Sequence, residues 1–155
     1  MEDSPKRPAP KLPGAVLFAC TNNSVRSAMA EGLLKFLLGH RVFVDSAGVR
    51  AQPVDPFAKE VMDEIGIDLS RHRAKTFDDL EDSSFDLIVS LSPEAQHRAV
   101  ELTRTMACDV EFWPTFDATA TEGSREQRLD AYRQVRDHLK RRIQARFALD
   151  LKPQV

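Results

Sequence analysis

A thiol and a guanidinium stand close together near the start of this chain, in the segment Ala15–Ser27, AVLFACTNNSVRS. Cys20 opens a short polar stretch and Arg26 closes it, with five residues between them. An apolar run precedes the stretch, and AMAEGLLKFLL follows with a helical pattern. The reading is strand, tight loop, helix. Successive backbone N–H groups of such a loop can converge on an anion, and the unpaired N–H groups of the helix's first turn add to them. The same field favours a thiolate at Cys20. Arg26 offers a planar fork that matches two oxygens of a tetrahedral dianion. A thiolate at the base of this cup can attack phosphorus or arsenic in line while the cup stabilises the equatorial oxygens.

The loop residues Thr21, Asn22, Asn23, Ser24 and Val25 form the wall of the cup. Asn23 is suited to a left-handed backbone conformation or to bracing the loop through its amide. Ser27 can cap the following helix or donate its hydroxyl to the thiolate. A leaving alkoxide or phenoxide needs a proton, and water must later lose one, so a carboxyl is also required.

The run Cys20-Thr-Asn-Asn-Ser-Val-Arg26-Ser27, followed by Ala-Met-Ala-Glu-Gly, resembles the signature of the low-molecular-weight protein tyrosine phosphatase family. Thioredoxin-coupled arsenate reductases share that superfamily. The resemblance extends from Val16 to about Phe147 and implies a phosphocysteine intermediate. It implies that Ser46, in Asp45-Ser46-Ala47-Gly48, braces the loop through Asn23. It also implies that Asp117, counted from Trp113, is the acid and then the base. The chain departs from the family pattern at several positions. Asn22 replaces a common Gly, Val25 a usual second Cys, and Ala118 the Pro after Asp117; the last departure predicts a more mobile loop. No aromatic follows Gly48 or Asp117, since Val49-Arg50-Ala51-Gln52 and Thr119-Ala120-Thr121 stand there, which weakens the case for phosphotyrosine. Ser92 falls near a relay cysteine of the reductases, without a thiol.

The rest of the chain must position these groups. Its 155 residues suffice for one domain with a real core. A formal charge of -2 makes neither nucleic acid nor an anionic membrane an expected partner. Two cysteines without a signal peptide point to a reducing, cytoplasmic setting. No metal or cofactor is expected. Residues 1–13, rich in Pro and charge, read as a disordered tail; 14–149 read as the domain.

Val16–Ala19, Arg41–Val44, Phe85–Leu91 and Val110–Trp113 read as strands. The apolar FDLIVSL is suited to a parallel strand buried on both faces. Helices follow the loop, begin at Asp55-Pro56 and at Ser92-Pro93, and run over Ser124–Phe147. Thr76–Leu80 reads as a short capped turn, His72 as structural, and Cys108 as a small buried hydrophobe. The long helix's arginines read as a solvated face, and Asp150–Val155 as fraying. The alternation predicts an α/β fold: a three-layer α/β/α sandwich, with a four-stranded parallel sheet and helices on both faces.

Three functions fit. The first is a phosphate monoester hydrolase with Cys20 as nucleophile, Arg26 as anion clamp and Asp117 as acid and base. Its partners would be a phosphorylated protein or a small phosphomonoester, with inorganic phosphate or another oxyanion in the loop. The second is an arsenate reductase relying on an external thiol. The third is a non-catalytic oxyanion-binding module.

Overall fold

In the computed structural model, which describes residues 12–80 and 84–147, four parallel strands form one sheet in the order β2-β1-β3-β4. The strands are β1 (Ala15–Cys20), β2 (Phe43–Gly48), β3 (Leu87–Ser90) and β4 (Asp109–Phe112). Four helices join them: α1 (Arg26–Leu38), α2 (Pro56–Asp63), α3 (Pro93–Leu102) and α4 (Arg125–Phe147). The expected α/β sandwich is therefore the observed one, with its tail and its last residues outside the described segments.

Strand β1 is buried at every position, and β3 likewise, because both lie inside the sheet with helices on either face. Alternate side chains go to opposite sides. Val16, Phe18, Leu87 and Val89 join the larger core under α1, α2 and α4, whereas Leu17, Ala19 and Ile88 join a smaller one under α3. Chain order reverses between β1 and β3, so a crevice opens at their carboxyl ends. Cys20 ends β1 at that edge, and Ser92 follows β3 there.

One local reading shifts. The second strand, expected over Arg41–Val44, begins at Phe43 and runs on through Asp45-Ser46-Ala47-Gly48. The reason is pairing: Ala15↔Phe43 through Cys20↔Gly48 forms one unbroken parallel ladder. Glycine is needed at its end, since a Cβ on Gly48 would lie 2.7 Å from the Asn23 nitrogen and 2.3 Å from the Arg50 carbonyl oxygen. The capped turn expected at Thr76–Leu80 is present as a 3-10 turn over Phe77–Asp79, closed by a capping box between Thr76 and Asp79.

The arginines of α4 do more than face solvent. Arg136 is buried and donates to the Val61 carbonyl at 2.7 Å and to Glu64 at 2.7 Å. Arg133 adds bonds of 2.8 to 3.1 Å to the same carboxylate. Glu64 thus clamps the end of α2 to α4, and hydrogen bonds from Arg133 and Arg136 hold its carboxyl down to about 2. A depressed folded-state value stabilises the fold above the unfolded value near 4.5, and that stabilisation disappears as pH falls through about 2. Chemical denaturation of wild type and Glu64→Gln across pH should therefore show a stability gap at pH 7 that closes between about 4.5 and 2.

Candidate active site

The loop between β1 and α1 is turned inside out relative to an ordinary surface turn. Its carbonyls point away from the cup and are taken up by neighbours. Val49 N–H donates to Cys20 O at 3.1 Å, Arg50 N–H to Thr21 O at 2.8 Å, Gln52 N–H to Asn22 O at 3.0 Å and Asp55 N–H to Ser24 O at 3.0 Å. Val25 O accepts from Met29 N–H at 2.8 Å within the start of α1. Among the described residues, no hydrogen bond uses the N–H groups of Asn22, Asn23, Ser24 or Val25. Carbonyls tethered outward leave amides free to face an anion.

Asn23 holds this shape. It has φ 55, is fully buried, and lies in the left-handed region that asparagine tolerates best after glycine. Its Nδ2 donates to Ser27 Oγ at 2.8 Å and to Ser46 Oγ at 2.9 Å, while its Oδ1 accepts from Lys75 N–H at 3.0 Å. Its own carbonyl accepts from His72 Nε2 at 2.9 Å, so that nitrogen carries the proton. The structure thus brings Ser46 against Asn23, and gives His72 a partner that the sequence did not reveal.

Donor direction along this network follows from chemistry alone. An amide nitrogen only donates, so Ser27 Oγ accepts from Asn23. The single hydroxyl proton of Ser27 is then left for Cys20 Sγ, 2.9 Å away. Ser27 N–H approaches the same sulfur at 3.4 Å. Two donors aimed at one sulfur suit a thiolate. On the far side, Ser46 Oγ accepts from Asn23 and donates to Glu31, whose other oxygen meets Lys35. Ser27 is therefore not the cap of α1; Val25 occupies that position without a side-chain bond.

Cys20, Asn22, Ser24, Val25, Arg26, Asp117 and Thr119 line one narrow cleft at the crevice. Arg26 Nη1 donates to the Thr115 carbonyl at 3.0 Å, which ties the guanidinium to the segment leading to Asp117. Asp117 Oδ1 accepts from Thr119 N–H at 2.9 Å and from Thr119 Oγ1 at 2.6 Å. The residues after Asp117 form a hydrogen-bonded 3-10 turn over Ala118–Ala120 with Ala118 buried.

The positions without thiols have other duties. Val25 is 4% exposed and packs into the larger core. Ser92 caps α3 by accepting from Ala95 N–H at 3.3 Å, and also accepts from Thr21 Oγ1 at 3.0 Å. Cys108 is half-buried against the smaller core, across the sheet from Cys20, and burial pushes its thiol up. Among the described residues, no cluster of three or more His, Cys, Asp or Glu could hold a metal, and no helix is long and apolar enough to cross a membrane.

Sequence comparison places this geometry among relatives. The profile described as low molecular weight phosphotyrosine protein phosphatase matches residues 15–154. An arsenate reductase of Halalkalibacterium halodurans is 37% identical over 130 residues, covering 83% of this chain and 91% of that protein. An arsenate reductase of Bacillus subtilis is 33% identical over 128 residues, covering 83% of this chain and 91% of that protein. Among solved structures, an arsenate reductase in the phosphate binding state matches with a TM-score of 0.65 and 29% identity, over 84% of this chain and 94% of that one. A cysteine-to-serine mutant of the YwlE arginine phosphatase, with that active-site serine phosphorylated, matches with a TM-score of 0.66 and 25% identity, over 82% of this chain and 89% of that one.

Two outcomes are expected from this arrangement. Asn23→Ala removes both donor bonds and the Oδ1 acceptor, so titration calorimetry should show inorganic phosphate binding weakened by at least about tenfold; unchanged affinity would deny Asn23 its bracing role. Mild peroxide should carry Cys20 to sulfenic and then higher acids, because the only other thiol lies on the opposite face of the sheet. A dominant Cys20–Cys108 disulfide in peptide mass spectra would contradict that geometry.

Proposed function

This chain belongs to the low molecular weight phosphotyrosine protein phosphatase family, and from that membership we propose that it hydrolyses phosphate monoesters through a cysteinyl-phosphate on Cys20. The observation that supports hydrolysis is the shared cleft: one sulfur, one guanidinium and one carboxyl line it together, and no second thiol does. Cys20 Sγ attacks phosphorus, and the phosphorus–oxygen bond to the leaving group breaks. Asp117 gives its proton to the departing oxygen. Arg26 and the free N–H groups of the loop hold the equatorial oxygens. Water then attacks phosphorus, its proton passes to Asp117, and the Cys20 thiolate leaves. Ester and water become alcohol and phosphate, and the enzyme is restored.

The substrate would be a phosphorylated protein or a small phosphomonoester. The cleft lining contains no aromatic ring, so nothing in it clamps the faces of a phosphotyrosine. The exposed Phe116 lies instead in a neighbouring groove with Pro114, His138 and Arg141.

Arsenate reduction is the second reading, and the names of the relatives favour it more directly than they favour hydrolysis. The same cup would bind arsenate and form a cysteinyl arsenate. Two equivalents of an external thiol would then supply the two electrons, giving arsenite, a disulfide and water. The external donor is needed because Val25 and Ser92 offer no sulfur and Cys108 lies on the far face.

The deciding experiment is steady-state turnover of an aryl phosphate by wild type, Cys20→Ser and Asp117→Asn, beside arsenate-dependent oxidation of an added small thiol. Hydrolysis abolished in Cys20→Ser and reduced roughly 10²–10⁴-fold in Asp117→Asn is the expected result. Thiol oxidation without hydrolysis would establish the reductase instead. Phosphate binding with neither activity would leave an oxyanion-binding module.

A further inference from the structure

We propose that Thr119 is a positioning residue that aims the proton of Asp117 at the leaving group. This rests on the reading of Asp117 as the general acid. Both bonds from Thr119 fall on the same oxygen: N–H to Oδ1 at 2.9 Å and Oγ1 to Oδ1 at 2.6 Å. Among the described residues, Oδ2 has no hydrogen-bond partner.

A carboxylic acid carries its proton on one oxygen, and an oxygen already accepting two donors is the poorer place for it. Protonated Asp117 therefore holds its proton on Oδ2. The two donors also restrain the carboxyl plane, so Oδ2 keeps one direction. The platform beneath is a hydrogen-bonded turn. Ala118 is 1% exposed, Ala120 N–H closes on Asp117 O at 3.2 Å, and Thr121 N–H closes on Ala118 O at 3.1 Å. Arg26 anchors the preceding Thr115 carbonyl, so the turn is fixed to the cup from the other side as well. A hydroxyl thus orients the acid on a turn that lacks the family's proline, and the polar Thr119 lines the cleft beside it.

Leaving-group chemistry separates this role from a merely structural one. An activated aryl oxide departs without a proton, whereas an alkoxide needs one in the transition state. Thr119→Val keeps the backbone N–H bond and loses the hydroxyl bond. Its turnover of an alkyl phosphate should fall roughly two- to tenfold more than its turnover of dinitrophenyl phosphate, the range expected for one hydrogen bond between neutral groups. Thr119→Ser should restore the ratio. Thr119→Ala repeats the comparison without added bulk, should the valine variant lose its fold.

Equal loss on both substrates, or no loss on either, would overturn the positioning role while leaving Asp117 in place. If Asp117→Asn itself showed no greater loss on the alkyl ester, Asp117 would not be the acid, and the Thr119 proposal would fall with it.

Discussion

Everything at the crevice depends on the outward tethering of the loop carbonyls. A peptide unit has two ends, and an anion cup needs all of the positive ends to face one point. That requirement leaves the negative ends to be satisfied elsewhere, because a buried carbonyl without a donor is costly. The segment from Val49 to Asp55 supplies those donors one after another, and His72 supplies the donor for Asn23. Gly48 makes the approach possible, since any Cβ there would collide with the loop backbone. The end of β2 and the segment beyond it are thus part of the cup, although none of those residues lines it.

The buried polar chain from Cys20 through Ser27, Asn23 and Ser46 to Glu31 adds orientation to that shape. Each member has one chemically allowed direction, and the directions agree. A network with every donor and acceptor matched rigidifies its surroundings, whereas a gap in it would leave a desolvated group unpaired. Tyr132 extends the same principle outward. Its hydroxyl donates to Asp55 at 2.8 Å, burial pushes the phenol up, and Asp55 in turn caps α2 and binds Ser24 through its N–H. Helices α2 and α4 consequently brace the back of the loop.

Much of this was legible in the sequence, for identifiable reasons. Strand, loop and helix declared themselves because β1 is wholly buried and the loop is wholly polar at its start. The caps at Asp55-Pro56 and Ser92-Pro93 were readable because both use side-chain acceptors with Pro at the first helical turn. The partners of His72 were not, since Asn23 lies 49 residues away and the bond goes to its backbone, which carries no side-chain signal. Glu31 was hidden for a different reason. In MAEGLL it looks like an ordinary helix-surface acid, yet it is 8% exposed and receives Ser46. The extent of β2 escaped because Asp45 and Gly48 have poor strand propensity, which the ladder with β1 overrides.

The cup itself does not choose between hydrolysis and reduction. Both chemistries would begin with the same displacement at a tetrahedral centre, and they part only in what next reaches the Cys20 adduct. In this chain the two positions where a relay sulfur could stand are committed to packing and capping: Val25 fills the core, and Ser92 starts α3 while holding Thr21. Asp117, by contrast, sits at the cleft with one oxygen restrained and the other open. On the proposed reading Asp117 would activate water, whereas a reductive cycle would have to draw its sulfur from solution. The arsenate reductase of known structure that it resembles shares its fold; the means of clearing the adduct is where this chain's own residues carry the information.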